Sequence, residues 1–147
     1  MIWSRRWILP GMWKMLLLDT HVLVWLDEGN PRLGKAALQT INEALASDRL
    51  GVAAISFWEI AMLVEKQRLT MEPELADWRV ELLQAGLLEI PLGGATAIRA
   101  AQLPLFHGDP ADRMIVAAAI ENAATLMTAD EKILTWNHFH QKIDARL

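Results

Sequence analysis

From Met15 onward the chain alternates short apolar runs with amphipathic stretches, and few folds accommodate that alternation. Leu16-Leu17-Leu18 has the length and composition of a short buried strand, and Val22 to Leu26 fits one or two turns of helix. Asp27-Glu28-Gly29-Asn30-Pro31 is turn chemistry. Leu33, Ala37, Leu38, Ile41 and Leu45 then recur at helical spacing, which predicts an amphipathic helix over 33–47. A second strand fits 50–54, and helices fit 55–67 and 74–86. Leu87-Leu88-Glu89-Ile90 reads as a third strand stopped by Pro91. A short helix over 96–103, a loop over 104–108 and a firm helix over 110–122 follow. Thr125 to Thr128 reads as a fourth strand, with a helix near 130–136 behind it, and Lys142-Ile143-Asp144 is a candidate fifth strand at an edge.

Strands that alternate with helices specify βαβ units: a parallel sheet covered on both faces, with right-handed crossovers. The expected architecture is one three-layer α/β domain with a central parallel sheet of four to five strands. The chain's 147 residues suit one domain with at most a short appendage. With 53% apolar and 22% charged residues, it is neither disordered nor collagen-like. Cysteine is absent, which excludes disulfides, thiolate zinc sites, Fe–S clusters and a cysteine nucleophile. Any metal must therefore bind oxygen or imidazole.

The formal charge of −4 is unevenly spread. Residues 1–14 hold Arg5, Arg6 and Lys14, no acid, and three of the seven tryptophans. The remaining residues carry a net −7. Ser4-Arg5-Arg6-Trp7 suggests a twin-arginine export signal, but Pro10, Lys14, Asp19 and His21 interrupt the apolar run that such a signal needs. No stretch approaches the roughly 20 apolar residues of a membrane span. We therefore expect a cytoplasmic protein with no membrane partner. Its domain should cover 15–147, and 1–14 should be a weakly ordered extension or lie ahead of a true start at Met12 or Met15.

In parallel α/β sheets ligands bind beyond the carboxyl ends of the strands, near the switch in strand order. Asp19 follows the first strand, where it either enters that crevice or caps the next helix. Glu59 lies early in the helix after the second strand and shares a face with Met62 and Leu63, so it is a buried carboxylate in need of partners or an acid favoured by the helix N-terminus. In His107-Gly108-Asp109-Pro110-Ala111-Asp112-Arg113, Asp109 suits the N-cap and Pro110 position N1. Asp112 shares the inward face with Ile115, Val116 and Ala119, so capping falls to Asp109 and chemistry to Asp112. Asp130 follows the fourth strand, again as a cap or a crevice residue.

Four acids entering one crevice are harder to explain together than singly. At an effective dielectric near 20, two carboxylates ~4 Å apart repel by about 4 kcal/mol. Several such contacts would consume much of a domain's net stability of roughly 5–15 kcal/mol. A divalent cation removes the conflict, and hard oxygen ligands favour Mg²⁺ or Mn²⁺ over Zn²⁺. His138 and His140 lack an evident further ligand for zinc.

LLLDTHVLVW, ISFWEIAMLVEKQRL, HGDPADRMIVAAA and TLMTADEKIL, in this order and spacing, resemble the PIN-domain proteins of the VapC-like toxin family from about Met15 to the C-terminus. The resemblance implies a PIN-like α/β/α fold and an Mg²⁺- or Mn²⁺-dependent endoribonuclease serving as the toxin of a type II toxin–antitoxin pair. It carries the family's acidic site onto Asp19, Glu59, Asp112 and Asp130, with one or two ions. Asp19 and Asp112 become the leading metal ligands, and Glu59 and Asp130 orient water or complete a second site. Ser56 and Thr128 would support the acids by hydrogen bonding, while Thr20 would do so or cap. Arg113 is a candidate contact to an RNA phosphate, or else a surface or salt-bridging arginine. His21 and His107 are RNA contacts or ordinary core and loop histidines.

The implied partners are an RNA substrate, a second copy of the chain in a homodimer, and a cognate antitoxin whose C-terminal segment places an arginine near the acids. The alternative is a non-catalytic PIN-fold module that binds RNA or regulates. A haloacid-dehalogenase-like enzyme would want an Asp two positions after Asp19, where His21 stands.

Overall fold

The computed structural model describes residues 14–147. Five strands are laid down in chain order: β1 (Leu16–Leu18), β2 (Leu50–Ala53), β3 (Leu88–Ile90), β4 (Thr125–Thr128) and β5 (Lys142–Asp144). They form one sheet in the order β3-β2-β1-β4-β5, and every pairing is parallel. Two helices, α1 (Thr20–Glu28) and α2 (Lys35–Ala46), link β1 to β2, and α3 (Ala54–Glu65) and α4 (Leu75–Gln84) link β2 to β3. Helices α5 (Gly94–Ala101) and α6 (Pro110–Glu121) cross to β4, and the single turn α7 (Glu131–Leu134) precedes β5.

The alternation of side chains along each strand divides the core into two layers. Leu16 and Leu18, with Leu50, Val52 and Met127, pack beneath Val22, Ile41, Ile60 and Trp78. Leu17 and Leu126 point the other way, into Ile115, Val116, Ala119, Phe106 and Trp136. The α/β/α arrangement, the parallel sheet and the edge position of β5 are those expected from the sequence. Helix α1 runs further than the apolar pattern suggested. Asp27 and Glu28 remain helical, and the chain turns only at Gly29, whose φ of 63° suits a residue without Cβ. Gly34 meets a different demand. A Cβ there would fall 1.9 Å from the main-chain oxygen of Leu147, so only glycine lets the C-terminus lie against the start of α2.

The strand order reverses between β1 and β4, whose register pairs Leu18 with Met127. Their carboxyl ends open the crevice into which the next residues project. Among the described residues no helix is long and apolar enough to cross a membrane. The expectation for the extension concerns residues that, Lys14 apart, lie outside those described.

Candidate active site

Asp19 leaves the end of β1 and is 2% exposed. Its main-chain N–H donates to the Met127 carbonyl at 2.9 Å, fixing the residue between the two central strands. Oδ1 accepts from the Thr20 amide at 2.8 Å, and Oδ2 accepts from the Thr128 hydroxyl at 2.7 Å. The two readings of Asp19 thus coexist: it caps α1 and stands in the crevice. Burial raises its pKa, the nearby Asp130 charge adds to the rise, and His21, Thr128 and Thr20 oppose it.

Helix α3 brings Glu59 to the same place. The Thr20 hydroxyl has one hydrogen and two oxygen neighbours, Glu59 Oε1 at 2.5 Å and Ser56 Oγ at 2.8 Å. Given to the carboxylate, that hydrogen leaves Ser56 to donate to Thr20. Desolvation is the largest influence on Glu59 and raises its pKa, with Asp19 and Asp109 adding to the rise. Ser56, Thr20 and Thr128 are all buried. These three hydroxyls hold the acids from behind, and no buried side-chain polar atom among the described residues lacks a partner.

The first turn of α6 supplies the third wall. Asp109 Oδ1 accepts from the Asp112 amide at 2.9 Å, as an N-cap should. Yet Asp109 also joins Glu59 and Asp112 in a trio whose carboxylate oxygens lie within 4.8 Å of one another. The sequence reading confined Asp109 to capping and so missed its place here. The available signal was its i, i+3 relation to Asp112, which puts both on one face of the first turn. Asp112 is pushed up to about 7, by burial first and then by Asp109, Asp19, Asp130 and Glu59. Asp130 stands further back. Its side chain accepts from the Lys132 amide at 2.9 Å to cap α7, its own amide donates to Thr128 Oγ1 at 3.0 Å, and it reaches Asp19 and Asp112 through its charge.

The basic and imidazole candidates divide. Arg113 turns away from the acids and donates to the carbonyls of Ala100, Phe106, Ala101 and Leu103. Its guanidinium closes the end of α5 and the loop behind it, so the expectation that it meets an RNA phosphate or a salt-bridge partner gives way to a main-chain role. His21 Nε2 accepts from the Ala129 amide at 2.9 Å, which places its proton on Nδ1, 3.7 Å from Asp19 Oδ2. His107 is exposed. His138 packs on Trp136, and neither it nor His140 belongs to a metal-ligating group of three among the described residues.

Asp19, Glu59 and Asp112 open into a cleft of about 410 Å³ that His21, Trp25, Arg32 and Arg68 also line. A wider hollow of about 580 Å³, between the ends of α5 and α6 and the 136–141 loop, touches none of these acids. Oxygen donors this close, and a carboxyl that burial and then its acidic neighbours push up to about 7, suit a hard divalent cation.

The PIN domain family model matches residues 16–135. Ribonuclease VapC22 of Mycobacterium tuberculosis is 38% identical over 124 residues, covering 84% of this chain and 92% of that protein. Two solved structures share the fold. One is a toxin–antitoxin complex from Klebsiella pneumoniae, with TM-score 0.59, 16% identity, and 88% and 97% of the two chains covered. The other is VapBC2 from Rickettsia felis bound to a DNA fragment from their promoter, with TM-score 0.60, 20% identity, and 82% and 91% covered. The sheet order, the acids at the switch point and these likenesses converge: the chain belongs to the PIN-domain family and, within it, to the VapC-like proteins.

Proposed function

We propose that this protein is an Mg²⁺- or Mn²⁺-dependent endoribonuclease that acts as the toxin of a type II toxin–antitoxin pair. The observation that carries the proposal is the gathering of Glu59, Asp109 and Asp112, with Asp19 on the same cleft, at the switch point with no lysine or arginine ion-paired to any of them among the described residues. The relative named as a ribonuclease supports the activity, and the neighbouring toxin–antitoxin structures support the setting.

Asp19 and Asp112 would hold the ion, with Glu59 and Asp109 completing its oxygen shell. When bound, the ion supplies Lewis acidity and positive charge for phosphodiester hydrolysis. Thr128 and the Thr20 amide fix the Asp19 carboxylate, and the Thr20 hydroxyl fixes Glu59, so the oxygens are positioned before substrate arrives. Asp130 biases Asp19 and Asp112 through space while it caps α7.

The cytoplasm is the proposed location and a cognate antitoxin the proposed regulator. An arginine inserted by that partner would compete with metal for the same carboxylates. We also propose a homodimer. The large apolar side chains Leu92, Ile98 (61% exposed) and Leu105 (78% exposed) on and beside α5 are the surface that supports it, and light scattering would give twice the chain mass.

The test of activity is cleavage of single-stranded RNA by the purified protein with Mg²⁺ or Mn²⁺. EDTA should abolish it, as should Asp19→Asn or Asp112→Asn. Undiminished cleavage by both variants would overturn the assignment.

A further inference from the structure

We infer that Trp25, Arg32 and Arg68 form a nucleotide subsite beside the acids, where a base of single-stranded RNA stacks on Trp25 and the two arginines take the flanking phosphates. This rests on the ribonuclease reading and says how that site receives its substrate. Seven arginines lie among the described residues. Arg79, Arg99 and Arg146 are ion-paired with carboxylates, and Arg49 and Arg113 donate to main-chain carbonyls. The two whose side chains make neither an ion pair nor a hydrogen bond with any described residue are Arg32 and Arg68, and both line the acid cleft. A net −7 beyond residue 14 disfavours a polyanion overall, so two guanidinium groups with no anionic partner among the described residues, beside the acids, are where phosphates can be held.

The platform is built in advance. Trp25 lies one turn after His21 on α1, their rings 5.1 Å apart, and part of its indole rests on the core beneath. Arg32 lies over the Trp25 ring, its guanidinium carbon 5.8 Å from the centroid, so a base stacking on that face takes the place of the guanidinium as Arg32 turns to a phosphate. Asn30 fixes the loop that carries Arg32. The Asn30 amide donates to the Trp25 carbonyl at 2.8 Å, and Asn30 Oδ1 accepts from the Arg32 amide at 2.9 Å. Arg68 approaches from the end of α3, the helix that also carries Glu59. An aromatic face with cations beside it is the common device for single-stranded nucleic acid, because every base has a π-face and every linkage a charge. The carboxylate of Glu28, also on this cleft, narrows the region in which a phosphate is welcome.

The test measures steady-state cleavage of a fluorophore-labelled 20-nucleotide single-stranded RNA of mixed sequence, with Mn²⁺, over a series of KCl concentrations. The double variant Arg32→Ala/Arg68→Ala, both exposed positions, should raise KM about tenfold or more with kcat nearly unchanged. It should also flatten the dependence of log(1/KM) on log[KCl] by about 0.7 for each lost phosphate contact. Trp25→Ala should raise KM about tenfold, and Trp25→Phe should recover most of that loss. Unchanged KM and salt slope in the double variant, with wild-type cleavage intact, overturn the subsite alone and leave this patch to a protein partner. A wild-type protein that cleaves no RNA overturns the ribonuclease reading, and the subsite with it.

Discussion

Two sets of carboxylates in this molecule have opposite electrostatic surroundings. At the rim, Glu89 is bidentate to Arg79, Glu121 meets Arg99, and Glu131 and Asp144 share Arg146. Those arginines lower the pKa of Glu89 and of Asp144. In the crevice, Asp19, Glu59 and Asp112 have no such partner and are all raised, chiefly by burial. The contrast is sharpest at Arg113, which follows Asp112 directly and yet gives its guanidinium to four carbonyls. One residue of advance along α6 is 100° of rotation, which carries the cation off the acid face. Four surface acids thus have an arginine beside them, while the crevice acids have none among the described residues, and that difference is what a cation from outside the chain could use.

The largest way to break this contrast is to neutralise one member of each population. Asp112→Asn or Asp19→Asn should lower RNA cleavage at least a hundredfold, a loss of about 2.7 kcal/mol in transition-state stabilisation. Glu89→Gln should leave the rate within about twofold. Equal effects from the two would mean that the crevice acids matter only as fold elements. Next in size is Arg113→Ala, which strips the carbonyls at the end of α5 of charge-assisted donors and should lower stability by about 2 kcal/mol in urea unfolding. Arg113→Lys should recover only part of this, because one ammonium cannot reach acceptors that the guanidinium fork spans.

Much of this was legible in the chain before any coordinates. An apolar triplet closed by Asp19, and an apolar four closed by Thr128-Ala129-Asp130, mark strand ends, and in a parallel sheet strand ends are where ligands go. Local patterns reached less far where one residue serves two purposes. Asp109 satisfied a capping rule completely, which masked the second role that its i, i+3 relation to Asp112 hinted at; the packing of α3 against α6 put it beside Glu59. Arg113 showed its charge but not its acceptors, which lie 7 to 13 residues back along the chain. Trp25, Arg32 and Arg68 come from three separate segments, and no periodicity joins them.

Intermediate effects come from pH and metal, and here the two populations pull in opposite directions. Asp112 has an ordinary value of 3.8 and is pushed up to about 7 in the fold. Between about pH 4 and 7 the folded state therefore keeps a proton that the unfolded chain has lost, and stability falls as pH rises through that window. In EDTA the protein should melt several degrees higher at pH 5 than at pH 8, and Asp112→Asn should flatten the difference. Mg²⁺ at a hundred times its dissociation constant should restore about 2.7 kcal/mol at pH 8, read as a rise in Tm. In Asp112→Asn that rise should shrink. A variant that melts lower without metal and keeps its full response to Mg²⁺ would show Asp112 to be a structural cap.

The smallest effect belongs to the rim. Glu89 is bonded to Arg79 at 2.6 and 2.7 Å, a geometry that invites a large stability claim, but the arginine side chain is 41% exposed and its charge is well screened. Because the folded-state pKa of Glu89 is lowered, the pair stabilises above the usual carboxylate range and loses that stabilisation as pH falls through it. Glu89→Gln should therefore cost under about 1 kcal/mol at pH 7 and nearly nothing at pH 3, with a further decline at pH 7 in 1 M salt. The salt series separates this pair from the crevice. Screening weakens an exposed attraction strongly, whereas the repulsion that the buried Asp19 and the half-buried Glu59 exert on the half-buried Asp112 is less open to mobile ions. Measured without divalent metal, salt should narrow the gap between wild type and Glu89→Gln while leaving most of the gap between wild type and Asp112→Asn in place. If salt closed both gaps alike, the two populations would differ in number of neighbours but not in kind, and the case for a reserved cation site would lose its electrostatic footing.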